Sequence, residues 1–191
     1  MSKKSTRYLL FLVLMAMAAA KLPGQVAPPI ARYTATIANT SGAGEGVRID
    51  ILRWSTDMER ESIFNAVSNG DNGLPPVLQR AASVGYVWTN TETAGYALKY
   101  AYRIPAANGG ERIILITDRT LGTFEPQRWK LTGSGNAQTY PFSVIELRIG
   151  KTTPGEGKAS IAAKITADKT AKTIALDNYS SALVIFQGVK K

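Results

Sequence analysis

Two absences define the chemistry open to this chain: its 191 residues include no His and no Cys. That removes Ser-His-Asp triads, thiol nucleophiles, the usual zinc sites and haem ligation together. Carboxylates, Lys, Tyr, Ser and Thr remain. Two carboxylates can hydrolyse a glycosidic bond, one as acid and the other as base or nucleophile. Oxygen ligands can hold Ca²⁺, but the acidic stretch "DNGLPPV" lacks the spaced D-x-D-x-D-G series of a calcium loop and reads as an interhelical turn. No metal and no cofactor is expected.

The densest polar segment is "TDRTLGTFEPQRW". In one reading it is a ligand-facing loop, with Arg119 or Arg128 gripping an anion and Asp118 or Glu125 as acid or base. In the other, Asp–Arg pairs lock the loop to a sheet edge, with Phe124 and Trp129 buried beneath. The lock is the expectation, because Arg⁺ beside a carboxylate lowers its pKa and makes it a poor general acid near neutral pH. Glu146 and Arg148 stand at i, i+2 and so share one face of a strand with Phe142 and Val144; an ion pair is expected there. Tyr86, Trp88, Tyr96, Tyr100 and Tyr102 form the aromatic group, which could stack sugars or bases with Lys99 and Arg103 close in sequence. Strict alternation would turn Lys99 and Arg103 away from the tyrosines, so core packing is the expected role.

These residues need elements to position them. "ARYTATIAN" alternates, with Tyr33, Ala35 and Ile37 on one side, and "VRIDILRW" does the same. The period then changes. "STDMERESIFNAVSNG" opens with a Thr56-x-x-Glu59 capping box, and "LPPVLQRAAS" adds a second helical piece with proline tolerated at its start. Two helices are predicted within 56–82, burying Ile63, Phe64, Val67 and Leu78. Downstream the pattern is β: "VGYVWTN", "GYALKYAYRI", "ERIILITD" after an "ANGG" turn, "TYPFSVIELRIG", "GKASIAAKITAD", "KTIALDN" and "SALVIFQGV". Ile113–Ile116 is apolar on both faces and predicts a strand covered on both sides. Two Gly-Glu-Gly triplets, at 44–46 and 155–157, precede alternating runs and read as turn grammar rather than a phosphate cradle, since no helix follows. The expected fold is mostly β (α+β): an antiparallel sandwich or open barrel of about nine strands with one helical-hairpin insertion.

The N-terminus places this domain. Lys3, Lys4 and Arg7 precede an apolar run from Tyr8 to about Met17 and then small residues to Ala20, the three-part pattern of a secretory signal peptide. The run is too short to span a bilayer, and Lys21 and Pro23 follow directly. The expected organisation is therefore a signal peptide over 1–20, a Pro-rich lead-in over 21–29, and one β-rich domain over 30–191. Without Cys, packing and ladder hydrogen bonds must hold it together. Of the formal +9 on the chain, three charges belong to Lys3, Lys4 and Arg7, which leaves +6 spread without any dense run. That favours plain solubility over nucleic-acid binding, while an envelope polyanion, saccharide or protein stays open as partner. Asn39-Thr40-Ser41 and Asn178-Tyr179-Ser180 match glycosylation sequons.

The phrases "GYALKYAYRI", "GGERIILITDR", "YPFSVIELRIG" and "GEGKASIAAKI", with "IALDNYSSALVIFQGV", resemble a group of exported bacterial proteins. The resemblance implies export and a single domain, and supplies no catalytic or ligand residue. Three functions fit the sequence: a non-enzymatic exported binding or envelope-structural domain, a carboxylate-dependent hydrolase using Asp118, Glu125 or Glu146, and a carrier of a small apolar ligand. The first is the expectation.

Overall fold

Period-two alternation buries one side of each strand, and eight such strands close on themselves. The computed structural model describes residues 28–68, 73–106, 109–131, 140–151, 154–160, 165–176 and 183–191. The predicted signal peptide, most of the lead-in and the sequon at Asn178 lie outside them. The strands are β1 (Ala31–Ile37), β2 (Gly46–Ile51), β3 (Gly85–Thr89), β4 (Tyr96–Pro105), β5 (Glu111–Thr117), β6 (Val144–Ile149), β7 (Gly155–Ser160), β8 (Ile165–Asp168), β9 (Thr173–Leu176) and β10 (Leu183–Lys190). Helices α1 (Asp57–Ser68) and α2 (Leu74–Arg80) lie between β2 and β3.

The fold is β-rich α+β, as expected, but the sheet is neither a sandwich nor open. It is a closed antiparallel barrel in the order β1-β10-β7-β6-β5-β4-β3-β2, and β8-β9 form a separate two-stranded ribbon. Closure comes from β10, which pairs with β1 on one side and β7 on the other. It leaves no barrel edge to protect. The stretch read as one strand, "GKASIAAKITAD", is divided between β7 in the barrel and β8 in the ribbon. Among the described residues, no helix is long and apolar enough to cross a membrane.

Two hydrophobic clusters result. Inward-facing side chains, among them Tyr33, Ile49, Val87, Leu98, Leu115, Leu147 and Phe186, fill the barrel as one contiguous core, as eight-stranded barrels allow. On the outer wall, Tyr100, Ile114, Ile116 and Val144 pack against Ile63 and Ala66 of α1, Leu74 and Leu78 of α2, and Ile165, Ile174 and Leu176 of the ribbon. The both-faces-apolar run of β5 is thereby explained: Ile113 and Leu115 point inward, Ile114 and Ile116 outward.

Strict alternation fails at one place in β4. Leu98 pairs with Thr117 while Tyr100 pairs with Ile116, so the register shifts by one residue between them. This β-bulge inverts the strand downstream. Tyr96 and Leu98 belong to the interior, whereas Tyr100, Tyr102 and Ile104 belong to the outer layer, and Ala101 takes the inward position. Tyr100 therefore shares the outer side with Lys99, and Arg103 shares the inward side with Ala101.

The two Gly-Glu-Gly triplets separate structurally. Gly44 adopts φ +90°, which only glycine takes readily, and the turn it makes delivers Gly46 to β2. The second triplet is itself the start of β7, where a Cβ on Gly157 would come within 2.7 Å of Leu147. Neither cradles an anion at a helix start.

Candidate functional site

A long connection after β5 must dispose of its polar groups, and it does so over one end of the barrel. The Tyr96 hydroxyl donates to Glu92 Oε1 (2.8 Å) and accepts from the Gly122 and Phe124 amides (3.0 and 3.4 Å). Glu92 is buried and also accepts from Trp129 Nε1 (3.2 Å) and the Thr89 amide (3.2 Å). Burial, first, and the hydrogen bond to Glu92 push the Tyr96 hydroxyl well above its ordinary pKa, so it stays a donor. This hub is what fastens the loop.

The expected Asp–Arg lock is placed differently. Asp118 Oδ2 accepts from Arg119 Nε and an Arg119 terminal nitrogen (3.1 and 2.7 Å). A pair between chain neighbours cannot tie the loop to another element. Arg128 pairs with Glu125 inside the loop and with Glu45 Oε2 (3.1 Å) of the β1–β2 turn, so Glu45 of the first Gly-Glu-Gly anchors the loop. Trp129 is buried as expected, but Phe124 is 40% exposed and lies against Tyr96 with ring centroids 4.9 Å apart. Glu146 is buried and accepts from Arg148 (2.8 Å) and Arg112 (3.2 Å). Arg112 also reaches Asp168 of the ribbon at 2.7 Å. That network pins β8 to the barrel wall.

The aromatic group does not form one platform. Tyr86 and Trp88 sit on the outer face of β3, 6.2 Å apart, with Arg48 4.0 Å over the indole. Tyr96 is inside. Tyr100 and Tyr102 stack at 6.2 Å in the outer layer, and the Tyr100 hydroxyl shares a hydrogen with Thr173 at 2.9 Å. The bulge and the bend of the sheet separate three pairs that one-dimensional spacing had placed together.

What the structure does bring together is a cleft between α2 and the barrel wall, divided by Lys99. On one side, a recess of about 240 Å³ is lined by Gln79, Lys99 and Asp118 over apolar Leu78 and Phe142. On the other, one of about 310 Å³ is lined by Glu59, Arg80, Lys99 and Tyr100 with Ile63 and Val77. Lys99 Nζ donates to the Ala81 carbonyl (3.0 Å), a free carbonyl just past the end of α2, and keeps two hydrogens for other acceptors. Asp118 Oδ1 is buried and has no hydrogen-bond partner among the described residues. Glu59, by contrast, is committed. It is held by Arg53 (2.9 and 2.8 Å) and closes the Thr56 capping box, which brings its carboxyl down to about 2.

No family model, curated protein or solved structure matches this chain. Function must therefore be argued from the cleft. Of its polar residues, Asp118 was legible as a candidate. Lys99 was assigned to the face opposite the tyrosines, because a bulge leaves no mark in an alternating sequence. Gln79 had no signal at all beyond its place on a short helix. Among the described residues, no group of three or more acidic side chains stands close enough to hold a metal ion.

Proposed function

We propose that this chain is an exported, non-enzymatic β-barrel binding domain whose α2 cleft takes a small polar ligand. Such a ligand offers a donor or cationic group to Asp118 and an acceptor or anionic group to Lys99, with its apolar part against Leu78 and Phe142. The carrying observation is the buried Asp118 Oδ1, which has no partner in a recess that also presents an ammonium and a carboxamide. Buried acceptors left unpaired cost free energy, and a ligand that supplies the donor recovers it. Export rests on the basic, apolar and small-residue order of residues 1–20.

The alternatives are less well supported. A two-carboxylate hydrolase needs both acids in one cleft roughly 5–10 Å apart. Among the described residues each recess is lined by a single acid, Asp118 or Glu59, and Glu59 is fixed in its charged form by Arg53. A carrier of apolar molecules needs internal space, whereas contiguous side chains occupy the barrel interior. Native mass spectrometry of protein purified from its own host tests the reading. A mass beginning near Lys21 and a non-covalently held small ligand are expected. Asp118→Asn with Lys99→Met should abolish ligand retention. Retention unchanged in that double variant, or turnover of an envelope polysaccharide lost in Asp118→Asn, would reject it.

A further inference from the structure

The opposite end of the barrel holds a second group of polar side chains that the cleft does not use. Past the bulge, β4 carries Arg103 inward to the mouth where β5 begins with Glu111. Tyr33 of β1 lies across the barrel from β5 in the strand order and is completely buried, yet its hydroxyl has no hydrogen-bond partner among the described residues. Glu111 Oε2 is buried and equally without one; Arg103 Nε approaches it only to 3.9 Å, ion-pair range but beyond a hydrogen bond. Lys191 Nζ takes the other oxygen, Oε1, at 3.4 Å. Arg103 lies 5.3 Å over the ring of Trp54, which packs on the interior core at the same end. Burial pushes the Tyr33 hydroxyl up to about 12, with the Glu111 charge adding to the rise and Arg103 opposing it, so the three groups share one environment and Tyr33 keeps its proton.

The open valences restrict what can fill this mouth. A phenol hydroxyl both donates and accepts, while a carboxylate oxygen only accepts. An anion would face the Glu111 carboxylate, and a cation would face Arg103 and Lys191. A neutral group with adjacent hydroxyls satisfies both sides: one hydroxyl donates to Glu111 Oε2, and its neighbour accepts from Tyr33 or Arg103. Trp54 supplies an apolar ring for the C–H face of a sugar. Arg103 and Lys191 are about half exposed, so rotamer changes alone can open the way to Tyr33. We propose that the barrel mouth formed by Tyr33, Glu111, Arg103 and Trp54 is a saccharide-binding site that grips the vicinal-diol edge of a neutral sugar.

The test is titration of the purified protein with maltotriose, chitobiose and inositol, with glucuronate and spermidine as charged controls, following the Trp54 indole N–H by NMR. A neutral probe should shift that signal, and the controls should not. Tyr33→Phe should weaken binding at least tenfold while leaving the melting temperature unchanged or higher, because it deletes a buried hydroxyl that holds nothing in the free protein. Glu111→Gln should weaken binding as well. The proposal falls if no neutral probe moves the Trp54 signal, if only a charged control does, or if Tyr33→Phe binds as tightly as the parent. It falls equally if Tyr33→Phe melts markedly lower, which would make the hydroxyl part of the fold.

Discussion

Tyr96 shows how a single side chain can fix a long loop. Its hydroxyl answers one acceptor, Glu92, and two amide donors, on Gly122 and Phe124. Tyr96→Phe keeps the ring in the core but leaves those groups short of a partner, at a cost of about 1–3 kcal/mol. Urea unfolding should show a lower midpoint with an unchanged slope; a midpoint equal to the parent's would mean that the hub does not hold the loop. Glu59 makes a prediction about acid. Its carboxyl falls from an ordinary 4.5 to about 2 through Arg53 first, then the Thr56 amide. The folded value lies below the unfolded one, so its stabilisation is complete above pH 4.5 and is lost as pH falls toward 2. The pair is partly in solvent, so the effect is modest. Melting temperatures between pH 5 and 2 should fall more steeply for the parent than for Glu59→Gln, and parallel curves would contradict the assignment.

At the scale of elements, the helices are surface elements with a narrow buried stripe. Ile63 and Ala66 of α1 are buried, but Phe64 is only half-buried and Met58 is 79% exposed. The expectation that Phe64 is a core residue came from helical spacing. The ribbon took its place, because β8 and β9 supply Ile165, Ile174 and Leu176 to the layer that α1 would otherwise fill alone. Ile63→Ala should therefore cost about 2–5 kcal/mol, the range for a buried aliphatic side chain. Phe64→Ala should cost clearly less, despite the larger ring. Chemical denaturation of the two variants side by side checks the order, and a larger loss from Phe64 would put α1 in a different rotation about its axis.

For the whole molecule, stability rests on closure. β10 is the last strand in the chain, yet it stands between β1 and β7 and contributes Val184, Phe186 and Val189 to the interior. Removing residues 183–191 would expose two unpaired strand edges and open the core to water. The expected outcome is a chain without a cooperative thermal transition, prone to aggregate. Far-ultraviolet circular dichroism with temperature decides it; a truncated protein that still melts sharply would show that the remaining strands form a stable open sheet. No disulfide can compensate, since the chain has no Cys.

Much of this was already set by local pattern. Alternation in "ARYTATIAN" and "ERIILITD" marked strands and their buried sides, and Thr56-x-x-Glu59 marked a helix start that the reciprocal bonds between Thr56 and Glu59 confirm (2.8 and 3.2 Å). The absence of His and Cys excluded whole classes of chemistry before any fold was known. These are properties that short windows of residues carry by themselves, because side-chain period and capping are local. What tertiary structure alone decided depends on residues far apart in sequence. The pairing of β1 with β10 closes the barrel across the length of the chain. The extra residue in β4 is visible only against its partner β5, and it moved Tyr100 outward and Arg103 inward. From that single register shift come both the cleft at Lys99 and the polar mouth at Glu111, since a one-residue slip exchanges the faces of everything after it.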